Sequence, residues 1–303
     1  MTDEDLTLVV LAAGLGSRYG GVKQLAAVGP DGATLMDYAV RDAWRAGFRR
    51  AVFVIRPDLE EAFERLIGQR YRGRLEILTA QQRLDAVPSG VMPAPGRVRP
   101  WGTAQAVLDA RSQVSGGFAV LNADDFYGRD ALEQAASFLR GTKARGSTHA
   151  VIGYPMAQTA SPAGGVNRAV LMVDHGGFLT HIEEVKELIE APGGRFRGRA
   201  GREVREIDGD TLVSMNLWAF TPEVFAGLDQ AFRRFLAGQP GESDECYLPE
   251  AVAGMIDSGQ ARVRVVPTAS RWCGITYAED RPRVEAELAE LVRRGEYPAR
   301  LWA

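Results

Sequence analysis

The sequence predicts an α/β protein whose first half is a mostly parallel, doubly wound sheet and whose second half is mixed sheet. Three observations predict it. Leu6 to Ala13 is an apolar run rich in β-branched residues and too short for a helix of its own, so it reads as a strand buried on both faces. Apolar runs then alternate with segments of helical spacing as far as Ile152, which calls for right-handed crossovers. Beyond about Pro155 the runs are instead separated by glycine turns, as in antiparallel or mixed sheet. The 303 residues are 46% hydrophobic, enough for one sizeable core. With no linker in view, the chain reads as a single domain over residues 1–303, with halves at 1–150 and 151–303.

A glycine-rich loop from Gly14 to Gly32 follows the first strand. Leu35, Ala39, Ala43 and Ala46 then recur at helical spacing, and Gly47 supplies a stop. Ala51–Ile55 reads as a strand, Asp58–Ile67 as an amphipathic helix and Leu75–Leu78 as a third strand. Thr103–Arg111 and Asp130–Leu139 are expected helices on either side of strand Phe118–Leu121, and Ala150–Ile152 is a fifth strand. In the second half, strands are expected at Arg168–Val173, Thr180–Glu184 and Thr211–Phe220, with turns at residues 175–177 and 208–210. Ala191–Arg205, rich in Gly and Arg, reads as a solvated loop. Helices at Pro222–Ala237 and Leu248–Ser258, a strand at Arg262–Pro267 and a helix at Asp280–Arg294 complete the chain.

Charge and composition exclude several functions. A net charge of -3 provides no basic footprint for nucleic acid. No apolar run approaches the roughly 18 residues of a membrane span, and the acidic start is unlike a signal peptide, so a cytoplasmic protein is expected. Cys246 and Cys273 lack metal or redox spacing and read as buried thiols.

Three segments can carry chemistry. Leu11-Ala12-Ala13-Gly14-Leu15-Gly16-Ser17-Arg18, with Lys23 beyond it, places a glycine turn after a buried strand, where backbone N–H groups approach an anion closely. Tyr19 stands where a dinucleotide fingerprint needs its third glycine, and the Gly-Lys-Ser/Thr of a P-loop is absent. What remains suits a triphosphate whose charge Arg18 and Lys23 neutralise. Second, Asn122-Ala123-Asp124-Asp125 follows an apolar strand, and a carboxylate at a strand end can hold the Mg²⁺ that accompanies phosphates, which marks Asp124 as the metal ligand. Third, Trp101-Gly102-Thr103 opens a helix and offers a backbone N–H and a hydroxyl to a base edge or phosphate.

The joint order of these pieces resembles the sugar-1-phosphate nucleotidyltransferases, the pyrophosphorylases that join a nucleoside triphosphate to a sugar phosphate. The resemblance rests on the first segment with Lys23, on Gly102-Thr103-Ala104-Gln105-Ala106 and on Ala123-Asp124 with Phe126-Tyr127-Gly128. It implies a Rossmann-like, GT-A type fold with the nucleotide in the first half and the sugar in the second. Leu11, Ala12, Ala13, Gly14, Gly16 and Ser17 would line the nucleotide, Gln82, Gly102 and Thr103 would read its base, and Arg18 and Lys23 would act catalytically on its phosphates. Gly165, Glu184, Lys186 and Asn216 would contact the sugar 1-phosphate, and Asp124 would bind Mg²⁺. Relatives often assemble as dimers or tetramers, so a homo-oligomer is expected.

The chain departs from the pattern in places. Val185 stands where a lysine usually follows the Glu, and Val22 replaces the Pro before Lys23. Gly274 lies near where a second metal-binding Asp is common, leaving either Asp125, Asp280 or another carboxylate to substitute, or a site of one acidic ligand plus the substrate's own phosphates. Three competing readings follow: a nucleotidyltransferase for another phosphorylated small molecule, a glycosyltransferase and a nucleotide-sugar sensor without turnover.

Overall fold

The computed structural model describes residues 6–14, 27–67, 70–71, 73–88, 91, 96–141, 146–161, 164–275 and 280–302. Strand β1 (Leu6–Leu11) leads to helix α1 (Leu35–Ala46), β2 (Phe48–Ile55), α2 (Glu60–Leu66) and β3 (Glu76–Gln81). α1 has the predicted bounds, and its caps explain them. The Asp37 N–H donates to Thr34 Oγ1 at 3.2 Å and the Thr34 N–H to Asp37 Oδ2 at 2.7 Å, a capping box, while Gly47 takes φ 97° at the far end. Helix α3 (Thr103–Asp109), β4 (Phe118–Asn122), the two-residue β5 (Asp125–Phe126) and α4 (Arg129–Arg140) complete the first half. β1 pairs parallel with β2 and β4, and β2 with β3, which is the expected parallel sheet.

The second half holds β6 (Thr148–Pro155), β7 (Val166–Val173), β8 (Leu179–Ala191), β9 (Arg195–Ala200), β10 (Glu203–Asp208) and β11 (Leu212–Phe220). Helices α5 (Val224–Ala237) and α6 (Leu248–Asp257), strand β12 (Arg262–Pro267), the short β13 (Cys273–Gly274) and helix α7 (Arg281–Arg293) follow. β11 joins the halves. At its C-terminal end Trp218 pairs antiparallel with Val120 of β4, and at its N-terminal end Val213 pairs with Val170 of β7. Along its other side it pairs with β6, and the register shifts between Ser214 and Trp218, where Asn216 has φ 61°. Among the described residues eleven strands form one sheet, and β13 pairs with β5 in a separate ribbon.

The solvated loop expected over Ala191–Arg205 is instead mostly a β ribbon, with β9 antiparallel to both β8 and β10. Its composition hides a period of two: Phe196 and Gly198 turn inward between Arg195, Arg197 and Arg199. A Cβ at Gly198 would sit 2.6 Å from the Lys186 carbonyl oxygen, so the strand packs closely only with glycine there. Both cysteines are free and buried, as expected.

A small core of Val28, Leu35, Tyr38, Phe126, Cys273, Ile275, Val284 and Tyr297 packs α1 and α7 around the β5–β13 ribbon. Polar contacts fasten the C-terminal segment to the same helix. Tyr297 OH donates to Asp42 Oδ2 at 2.5 Å, Arg41 Nε to the Leu301 carbonyl at 3.1 Å and the Leu301 N–H to Asp31 Oδ2 at 2.7 Å. Burial pushes the Asp42 carboxyl up to about 7, against the opposing pull of Tyr297, Arg129 and Arg41. The folded chain therefore keeps this proton up to about pH 7, whereas the unfolded chain releases it near pH 4, so stability falls as pH rises through that window. Asp42→Asn removes the effect and keeps an acceptor for Tyr297. The stability of the variant relative to wild type, read by urea unfolding, should climb from pH 4 to 7 by up to ~4 kcal/mol; a difference that is flat with pH contradicts the assignment.

Candidate active site

The carboxyl ends of β1, β2, β3 and β4 lie side by side, and their ladders extend one residue further. Leu11 is opposite both Val54 and Asn122, and Ile55 is opposite Gln81. Beyond the strands the Ala12 N–H donates to the Val54 carbonyl at 2.8 Å, Ala123 to Leu11 at 3.1 Å and Gln82 to Ile55 at 2.8 Å. Ala12 to Gly14, Gln82 and Asp124 thus leave the sheet at the same edge, the crevice where open α/β sheets bind ligands. Gly16, Ser17, Arg18 and Lys23 lie outside the described residues.

One wall of the crevice is held by side chains far apart in sequence. Gln82 is buried, and its Nε2 donates to the Gly102 carbonyl and to Gln105 Oε1, both at 2.9 Å. Its own carbonyl oxygen accepts no donor among the described residues. Gly102 has φ 106°, and a Cβ on it would meet the backbone of Cys246 at 2.6 Å. The Cys246 N–H donates to the Trp101 carbonyl at 2.7 Å, and the Ala104 N–H returns a bond to Cys246 at 3.0 Å. Thr103 Oγ1 accepts from the Leu248 N–H at 2.8 Å, so this hydroxyl caps the start of α6. Arg97, missed in the sequence, stacks over Trp101 at 3.9 Å and donates to the carbonyls of Arg99, Pro100, Gly241 and Asp244. It binds both sides of the wall together.

The opposite side is a chain of polar groups. Trp218 Nε1 donates to Asn216 Oδ1 at 2.8 Å, Asn216 Nδ2 to Asn122 Oδ1 at 2.8 Å and Asn122 Nδ2 to Asp125 Oδ2 at 3.0 Å. Tyr127 OH reaches the same carboxylate oxygen at 3.3 Å, and burial with the Asp125 charge holds its phenol well above the usual range, so it stays a donor. Asp125 pairs with Gly274 across the β5–β13 ribbon, and a Cβ at position 274 would stand 2.7 Å from Asp125 Oδ1. The carboxylate of Asp125 thus occupies the space a side chain at 274 would need. Asp280, the other alternative, stands just before α7 with its carboxylate 3.9 Å from Arg283. Asp124 and Asp125 are the groups that could hold a metal.

The acceptor-side candidates spread along two strands. Asn216 touches the first half directly through Asn122. Glu184 lies opposite Ala169 and raises the pKa values of Tyr247 and Glu250, so it faces α6 next to Thr103. Lys186 is exposed, two residues along β8 and opposite Arg199. Gly165 packs on the same strand pair, where a Cβ on it would stand 3.2 Å from the Glu187 backbone.

Comparison with known proteins agrees with this architecture. The sequence profile of a family described as nucleotidyl transferase matches residues 7–278. The inositol-1-phosphate CTP transferase from T. maritima has a similar structure, with a TM-score of 0.63 at 16% identity over 94% of this chain and 96% of that one. A UDP-glucose pyrophosphorylase complexed with UDP-glucose gives a TM-score of 0.57, also at 16% identity, over 94% of this chain and 99% of that one. No curated protein sequence matches.

The close approach at Gly102 yields a test of the first wall. Gly102→Ala places a Cβ against the Cys246 backbone in a conformation that favours glycine, and should cost at least ~2 kcal/mol in urea unfolding together with a weaker nucleotide affinity by calorimetry. Wild-type values for both would show that the wall tolerates displacement.

Proposed function

Since the chain belongs to the nucleotidyl transferase family, we propose that it joins a nucleoside triphosphate to a sugar 1-phosphate, or to a cyclic polyol phosphate of the same shape, and releases pyrophosphate. The observation that carries this reading is the convergence of Ala12 to Gly14, the Gln82–Gly102 wall and Asp124 at one sheet edge, with Asn216 reaching that edge from the second half. Both similar structures are named for enzymes of this kind, one acting on inositol 1-phosphate with CTP and the other complexed with UDP-glucose.

In this proposal Gly14 and Gly16 wrap the triphosphate with backbone N–H groups, and Gln82 presents its carbonyl oxygen to the base. A phosphate oxygen of the acceptor attacks the α-phosphorus in line. A new P–O bond forms, the bond to the bridging α–β oxygen breaks, and pyrophosphate leaves with the electron pair. The acceptor is already ionised at neutral pH, so no general base is required, and catalysis is positioning with charge stabilisation by Arg18 and Lys23.

Asp124 and Asp125 fit a divalent cation. Both offer hard oxygen donors, and the space of a Gly274 side chain is filled by a carboxylate. Among the described residues no three acidic, His or Cys side chains converge, which suits Mg²⁺, an ion that commonly keeps several waters and substrate phosphates as ligands. Bound there, Mg²⁺ would neutralise charge on the triphosphate and polarise it. The Asn122 amide and the Tyr127 hydroxyl orient the Asp125 carboxylate toward that duty.

The test is pyrophosphate release across five nucleoside triphosphates with glucose, mannose and myo-inositol 1-phosphates, with and without EDTA. EDTA-sensitive release that needs both substrates is expected, and silence across the grid would overturn the reading. Lys23→Ala should lower kcat roughly 100-fold while changing nucleotide Kd less than about fivefold. Asp125→Gly should weaken Mn²⁺ binding, measured by electron paramagnetic resonance without substrate, and the double change Asp125→Gly with Gly274→Asp should recover part of it. A double variant no better than Asp125→Gly would place the second carboxylate elsewhere.

A further inference from the structure

The acceptor half carries a half-buried cation that the sequence motifs did not single out. Arg168 lies on β7 directly opposite Val185 of β8, and Val185 is fully buried. Paired residues on neighbouring strands share a face, so Arg168 lies on the face of Val185 and Glu183, where Glu183 is already paired with Arg205. The guanidinium lies 4.9 Å over the ring of Trp272, and that ring is within 2.8 Å of where a Gly274 Cβ would be, against Asp125. Asp125, Gly274, Trp272 and Arg168 therefore form one contiguous group that links the carboxylates to the acceptor strands.

The guanidinium is held but not used up. Nε donates to Thr159 Oγ1 at 3.1 Å, Nη2 to the Thr159 carbonyl at 2.5 Å and Nη1 to the Asn167 carbonyl at 2.8 Å, which leaves further N–H groups of its fork unspent. Burial lowers its pKa to about 10 while the nearby Asp125 charge opposes the fall, so it is a cation throughout the neutral range. The ring it covers adds a second donor, since Trp272 Nε1 is buried with no partner among the described residues. A fixed guanidinium with open N–H groups beside an unspent indole N–H is complementary to a phosphate dianion. On the neighbouring ribbon, Arg195 and Arg197 pair with Glu206, and Arg205 with Glu183.

We propose that Arg168, backed by Trp272, seats the phosphate of the acceptor substrate and holds it on the Asp125 side of the crevice. This rests on the transfer reaction proposed above, and it puts the phosphate on the sheet face away from Glu184. The nucleotide, which the proposed function puts at the ends of β1 and β4, should not depend on Arg168.

Arg168→Met keeps the stem and removes the charge; Arg168→Lys keeps the charge and guards against a folding failure. With whichever of glucose 1-phosphate or myo-inositol 1-phosphate the wild type uses, Arg168→Met should raise the acceptor KM at least 30-fold and the nucleotide KM less than twofold, with part of the loss recovered by Arg168→Lys. A second readout needs no turnover: inorganic phosphate titrated into protein saturated with an α,β-methylene nucleotide should change Trp272 fluorescence, and Arg168→Met should weaken that response at least tenfold. An unchanged acceptor KM overturns the proposal, as does a phosphate response that is absent or the same in the variant. If the wild type uses no acceptor but the phosphate response vanishes in Arg168→Met, the seat stands and the transfer reaction fails.

Discussion

The structure depends on β11 serving both halves of one sheet at once. One end of the strand must pair with β4 in the nucleotide half and the other with β7 in the acceptor half, so the strand cannot run straight. It breaks at Asn216, a residue type that tolerates positive φ, and the break leaves backbone and side-chain polar groups in a largely buried place. An unmade hydrogen bond there costs about 1–3 kcal/mol. The relay from Trp218 through Asn216 and Asn122 to Asp125 makes those bonds, and Tyr127 OH closes it by donating to the Met215 carbonyl at 3.2 Å. The same contacts that splice the sheet also orient a carboxylate. Stability of the join and geometry of the site are one set of hydrogen bonds.

This coupling explains why the crevice sits where it does. The parallel ladders end together at Leu11, Ile55 and Asn122, while the antiparallel strands continue past them through β11 into β7 and β8. A ligand that reaches from one set of strands to the other must pass Asn122 and Asn216. Glu184 faces α6 on one face of the β7–β8 pair and Arg168 faces Trp272 on the other, so the two faces of the acceptor strands carry opposite charges.

Much of the fold was legible because local signals agreed with the tertiary result. The apolar run of β1 and the capped period of α1 required nothing from distant residues. β12 was found to the residue because its flanks are a glycine-containing turn and a proline. The β9–β10 ribbon was misread because arginine and glycine dominate its composition, although its period of two was present. β5 and β13 could not be found, since two residues have no period and each exists only through the other. In the candidate site, the place of Asp124 at a strand end could be read from spacing, while most of the glycine segment after β1 lies outside the described residues. The Gln82–Gly102 bond and the Arg97 clasp could not, because each joins segments that the sequence keeps apart.

The departures from the family pattern have a common geometry. Gly274 stands opposite Asp125, and Val185 opposite Arg168. In each pair the charge expected at one position is carried by its cross-strand neighbour. Opposed Cβ atoms are only about 5 Å apart and project from the same face, so a charge exchanged across the ladder moves little in space while its place in the sequence changes completely. At Gly274 the exchange is sterically compelled: with Asp125 Oδ1 2.7 Å from the would-be Cβ, both positions cannot carry a side chain unless one moves. A reading along the chain counts Gly274 and Val185 as losses. A reading across the sheet finds the carboxylate beside Asp124 and a cation facing it, because what a phosphate site requires is charge at a point in space and the strand that supplies it is free to change.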